Sequence, residues 1–202
     1  MAGFGKKNKA QQITHPTKSH KTAEELHKQA LEHHKDGDLV NAEKAYREAL
    51  KSGYLHPNAL SNLGVICQNT RRPEEAVSLY KQSLEISPDN PNVHMKLGNL
   101  YKDLGQIDQA LEATLKSLEL RPDNSNAHLN LGVIYQDLGQ LDQALDATIK
   151  SLELKPDNHT AHMNLGWIYK NLGQLDKALD ATHKSLELNT DNHSAQLNLS
   201  IL

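Results

Sequence analysis

Apolar residues return at fixed intervals along this chain, in two helical runs per cycle. In residues 125–158, Leu131, Tyr135 and Leu138 fall at helical spacing, so the run from Asn126 to Leu138 is predicted to be one amphipathic helix. Gly139 follows, and glycine tolerates the backbone dihedrals that end a helix. A second run, from about Asp142 to Leu154, carries Ala144, Leu145, Ile149 and Leu152. Pro156 closes it, and Pro156-Asp157-Asn158 reads as a turn leading into the cap of another helix. Small residues at Gly132, Ala144, Ala147 and Ser151 are expected to let helices approach closely.

The cycle is 34 residues long. Leu97-Gly98, Leu131-Gly132 and Leu165-Gly166 recur at that step, as do Tyr101, Tyr135 and Tyr169, then Ala110, Ala144 and Ala178. Residues 125–158 and 159–192 are identical at 24 of 34 positions, which is duplication and not composition bias. The same frame carried backwards recovers 57–90, with Leu63-Gly64, Ala76, Leu84 and Pro88, and a weaker unit at 23–56, with Gly37, Ala42, Tyr46, Ala49 and Leu50. The expected organisation is an array over 23–202, with repeats 23–56, 57–90, 91–124, 125–158 and 159–192 and a partial unit 193–202.

These units resemble the tetratricopeptide repeat, whose pattern runs W-x2-L-G-x2-Y, then A-x3-F, then P. Here the fourth unit reads His128-x2-Leu131-Gly132-x2-Tyr135, then Ala144-x3-Thr148, then Pro156. His stands for the Trp and Thr for the second aromatic, which lowers the aromatic area buried per repeat. The resemblance implies an all-α fold, a right-handed α-solenoid of helix-turn-helix repeats with an inner groove that takes protein partners.

With the first residue of each unit as position 1, a wheel of 100° per residue puts positions 4, 7, 8 and 11 on the packed side. Positions 2, 6, 9 and 13 lie nearly opposite and are expected to face the groove. Candidate groove residues are Asn126 at position 2, then Asn62, Lys96, Asn130, Asn164 and Asn198 at position 6. Position 9 adds Asn99, Val133 and Trp167, and position 13 adds Asn69, Asp137 and Asn171. A carboxamide carries both an acceptor and a donor, matching the C=O and N–H of a peptide backbone. The row resembles the asparagine ladder in the repeat domain of protein O-GlcNAc transferases, which implies backbone clamping by Asn62, Asn130, Asn164 and Asn198. The plainer reading is a soluble residue copied by duplication. Trp167 is expected either to anchor a partner or to tuck against the partial unit.

Another use of this repeat is a carboxylate clamp for acidic chaperone tails. Asn99 and Asn130 match its central pair, but Met95, Thr160 and Asn164 stand where the clamp needs cations. A chaperone-tail receptor is not expected from these units.

Composition narrows the chemistry further. The 202 residues are 37% hydrophobic with a single cysteine, Cys67, so there is neither a spanning segment nor an internal disulfide framework. Cys67 takes the position-11 tyrosine slot and is expected to be a buried thiol. Residues 1–22 hold five lysines and no acid, and read as a basic, disordered, solvated tail or as an arm for an anionic partner. The remaining residues hold 17 basic and 25 acidic side chains, which does not present a nucleic-acid surface. His94, His128 and His162 are one repeat apart, too far to share a metal ion, so no metal site and no cofactor are expected. No H-E-x-x-H, G-x-S-x-G or G-x-G-x-x-G occurs, and no catalytic residue is assigned.

The chain therefore reads as a non-enzymatic, cytoplasmic interaction scaffold for an extended peptide or protein segment, with no nucleic-acid or membrane partner. The alternative is the substrate-recruiting array of a glycosyltransferase-like enzyme whose catalytic domain is absent from this chain. For the apolar residues at 193–202, fraying, continuation of the natural chain and self-association with another copy all stay open.

Overall fold

The computed structural model describes residues 22–200, apart from the side chains of Asn198 and Ser200. Most of the basic segment (residues 1–21), with Ile201 and Leu202, lies outside the described residues. Thr22 does not belong to that segment. Its hydroxyl accepts from the Glu25 amide and its own amide donates to the Glu25 carboxylate, a capping box that starts the first helix.

Helices succeed one another in antiparallel pairs: α1 (Ala23–Lys35) with α2 (Leu39–Lys51), α3 (Pro57–Asn69) with α4 (Pro73–Ile86), and α5 (Pro91–Asp103) with α6 (Ile107–Leu120). They continue with α7 (Ser125–Asp137) and α8 (Leu141–Leu154), then α9 (His159–Asn171) and α10 (Leu175–Leu188), and α11 (His193–Ser200) packs on α10 and α9. No strand occurs among the described residues. Each second helix also packs on the first helix of the next pair, so the array is an α-solenoid held by neighbour contacts.

Local chemistry explains the boundaries. Asn90, Asn124 and Asn158, the last residues of their units, cap α5, α7 and α9 by accepting from amides of the first turn. Pro57, Pro73 and Pro91 open their helices, where a missing N–H costs nothing. At position 15, Gly37, Gly105, Gly139 and Gly173 adopt φ of +71° to +78° to end the first helix. The second unit has Arg71 there, at φ +59°.

The second helices bury a small-residue face. Ala42, Ala76, Ala110, Ala144 and Ala178 at position 20 are all 0% exposed. Opposite them, the position-8 glycines sit so close that a Cβ on Gly98 or Gly132 would lie 2.5 Å from the Thr114 or Thr148 hydroxyl.

The buried arc of the first helices differs from the wheel's expectation. Positions 3 and 10 are buried deepest, with Ala59, Ala127, Ile66, Ile134 and Ile168 fully covered, while His94, His128, Tyr135 and Tyr169 at positions 4 and 11 are half-buried. The reason is that a helix such as α7 packs on α6 and α8 and also touches α5 and α9. Contact with neighbouring first helices extends burial round to positions 3 and 10.

Candidate functional site

The side chain at position 24 of each second helix decides what the position-6 carboxamides can do. In the first unit it is Tyr46, fully buried, and its phenol accepts a hydrogen bond from Asn62 Nδ2 at 3.2 Å. The His34 ring meets the Tyr46 ring edge-on, with centroids 6.2 Å apart. In the second unit the Tyr80 hydroxyl donates to Gln68 Oε1 at 3.2 Å. From the third unit onward the residue is Thr114, Thr148 or Thr182, each fully buried and far shorter than a phenol. The Thr182 hydroxyl turns back to the Ala178 carbonyl at 2.7 Å, while those of Thr114 and Thr148 have no partner among the described residues.

The consequence is a stretch of carboxamides left without hydrogen-bond partners. Asn130 and Asn164 follow Thr114 and Thr148 as Asn62 follows Tyr46, and neither side chain has a partner among the described residues. Gln136, in the place of Gln68, has an occluded and unpaired Nε2, and Asn99 an occluded and unpaired Oδ1. Buried polar groups are normally paired, and leaving one unpaired costs about 1–3 kcal/mol.

The other candidate residues fall into two sets. Val133, Asn99 and Lys96 are half-buried beside the amides, and Trp167 is 36% exposed. Asn126, near the start of α7, and Asn69, Asp137 and Asn171, at the ends of their helices, are exposed. Positions 2 and 13 lie about 16 Å apart along a helix, so these residues stand at the rims of the recessed strip. Asn171 Nδ2 donates to the Trp167 carbonyl at 2.8 Å. The Asn198 side chain lies outside the described residues. Asn164 departs from the expected outward display: it is only 9% exposed, because α9 lies between α7 and α11 and touches both.

Burial sets the electrostatics of the strip. It pushes the Lys96 ammonium below the usual lysine range. Burial, and then the nearby Lys96 charge, lowers His34. Burial raises the Tyr46 phenol, against the Asn62 hydrogen bond.

The histidines of position 4 do structural work on the other side of the first helices. His94, His128 and His162 each place Nε2 2.8 Å from the carbonyl of Pro88, Pro122 or Pro156, in the turn before their own helix. Gln196, at the same position, donates to the Thr190 carbonyl at 2.9 Å. No cluster of three or more His, Cys, Asp or Glu among the described residues is placed to hold a metal ion. No helix among them is long and apolar enough to cross a membrane.

Cys67 is fully buried, and burial lifts its thiol to about 11. Beside it runs an ion-pair network: Glu43 accepts from Arg72 at 2.6 and 2.7 Å and from Arg47 at 2.8 Å, and Arg47 reaches Glu75 at 2.6 Å. The Arg72 hydrogen bond first of all, with Arg47 adding to it, holds the Glu43 carboxyl below its usual range. This network ties the first unit to the second.

Sequence reasoning missed Tyr46, His34 and Gln136 as parts of the site. The signal in the sequence is the change from Tyr46 and Tyr80 to Thr114, Thr148 and Thr182 at position 24, which removes a hydrogen-bond partner as well as aromatic area.

The family described as TPR repeat matches residues 72–105 and 98–139, and tetratricopeptide repeat matches 125–158 and 159–192. Together they span 72–192, more than half of the chain. The chain belongs to the tetratricopeptide-repeat (TPR) family. Solved structures give the same fold. YrrB, described as a TPR protein with an unusual peptide-binding site, superposes with a TM-score of 0.75 at 23% identity, over 89% of this chain and 92% of that one. MamA AMB-1 gives 0.73 at 26% identity, over 82% and 98%. MamA from Desulfovibrio magneticus RS-1 gives 0.76 at 20% identity, over 85% and 97%. No curated protein sequence matches the chain.

His94, turned back to Pro88, borders a crevice of about 740 Å³ between α4 and α6, floored by Leu97 and Tyr101 of α5.

Proposed function

We propose that this TPR array is a protein-interaction scaffold that holds an extended protein segment along its first helices. The observation that carries the reading is the pair Asn130 and Asn164, equivalent carboxamides of successive repeats whose side chains have no hydrogen-bond partner among the described residues. A backbone running along the strip meets donors and acceptors at each repeat, with little dependence on its own side chains. Half-exposed Trp167 supplies a flat apolar surface for a guest side chain. The likeness of the row to the O-GlcNAc transferase ladder points the same way, as does the peptide-binding site named for YrrB.

The test is retention of an acetylated, amidated, resin-bound random peptide library by the full chain. Each hydrogen bond contributes about 0.5–1.5 kcal/mol, so Asn130→Ala with Asn164→Ala weakens retention about tenfold. Circular dichroism stays unchanged in that variant. Asn62→Ala has a much smaller effect, because Asn62 is already engaged by Tyr46. Unchanged retention in the Asn130/Asn164 variant rejects the reading.

A further inference from the structure

Lys96 breaks the row. Positions equivalent to it hold Lys28, Asn62, Asn130, Asn164 and Asn198. Lys28 is exposed and pairs with Glu24 at 3.6 Å, so Lys96 is the recessed cation set among neutral amides. The lysines of the second helices, such as Lys116, Lys150 and Lys184, lie i,i+3 from a glutamate and pair with it at 2.7–2.8 Å. Lys96 is half-buried and has no carboxylate within 4 Å among the described residues. The other side chains that define its end of the strip are His34, Tyr46 and Asn62, none of them an acid. The N-terminal segment supplies no anion either, since residues 1–21 contain no Asp or Glu.

A partly desolvated ammonium without a counter-charge is an unfavourable arrangement that an incoming anion reverses. A single fixed cation matches a single carboxylate. A chain terminus carrying both its own carboxylate and an acidic side chain would require a second fixed cation. Past Lys96 the carboxamides of Asn130 and Asn164 have no partner among the described residues, so a guest held by them runs on beyond the lysine.

We infer that Lys96 is a specificity site, selecting extended segments with an internal Asp or Glu that reaches the third repeat. This rests on the scaffold reading above and adds a partner chemistry to it. The carboxylate accepts a charge-assisted hydrogen bond from Lys96 Nζ, while the amides hold the backbone on the C-terminal side.

Two acetylated, amidated peptide libraries separate the two ideas. They are random except for a central residue, Glu in one and Gln in the other, and retention is measured at low ionic strength. The native chain retains the Glu library about tenfold better, and the preference shrinks as salt is raised. Lys96→Asn, which restores the repeat's own residue, retains both libraries equally and still binds. Asn130→Ala with Asn164→Ala weakens both libraries while leaving their ratio intact. Equal retention of the two libraries by the native chain overturns the Lys96 site alone, as does a Glu preference that survives in Lys96→Asn. Retention of neither library overturns the scaffold reading and the Lys96 site with it.

Discussion

A Cβ placed on Gly132 would lie 2.5 Å from the hydroxyl of Thr148, on the facing helix of the same repeat. The Ala144 carbonyl stands 3.3 Å from the same point, so backbone as well as side chain blocks it. Gly132→Ala therefore sets a helix-propensity gain of about 1 kcal/mol against an overpacking cost of about 1–3 kcal/mol. The expected net result is a destabilisation of about 1 kcal/mol, read as a lower urea midpoint by circular dichroism. Thr148→Ala removes the nearer obstacle, and the double variant recovers most of the loss. Additivity of the two changes would show that the helices do not meet as described.

Arg71 stands where every other complete repeat has glycine, and among the described residues it alone carries the left-handed backbone on an L side chain, at φ +59°. The residue is exposed, so its side chain contributes little packing. Arg71→Gly is expected to stabilise the chain by about 0.5–1 kcal/mol, since the conformation costs glycine nothing. A lower urea midpoint in that variant would contradict the strain assigned to this turn.

Burial raises the Cys67 thiol to about 11, from an ordinary 9.0. Below pH 9 the thiol is protonated whether the chain is folded or unfolded, and folding is indifferent to it. Above pH 9 the unfolded thiol ionises while the folded one keeps its proton, so stability falls as pH rises and levels off near 11. The loss amounts to about 2–3 kcal/mol at most. Urea titrations at pH 8 and pH 10.5 should show a larger drop for the native chain than for Cys67→Ala. The Tyr46 contribution is common to both proteins and cancels in the difference. Tyr80, whose phenol is raised by burial and then by the Cys67 charge, adds to the native chain's drop. Equal drops would mean that Cys67 is not protected from ionising.

The fold was legible because duplication prints it several times. The glycine at position 8, the capping asparagines and the closing prolines each state a local rule, and the 34-residue step states how the pieces stack. The packed arc was less legible. A wheel treats a helix as having one buried side, whereas α7 has neighbours on several sides, and that covers Ala127 and Ile134. The site was half legible. Spacing put Asn62, Asn130 and Asn164 in one register, but only the long-range pairing of Asn62 with Tyr46 separates an occupied carboxamide from two without partners among the described residues. That distinction depends on a residue sixteen positions away, on a different helix, beyond the reach of periodicity.

The continuity of the apolar core also divides the molecule mechanically. Tyr46, Tyr80, Cys67 and Tyr101 share one continuous core in the first three repeats, while the later second helices rest on alanine, serine and threonine. Small side chains interlock less than phenols, so the distal coils of this spring should be its compliant end.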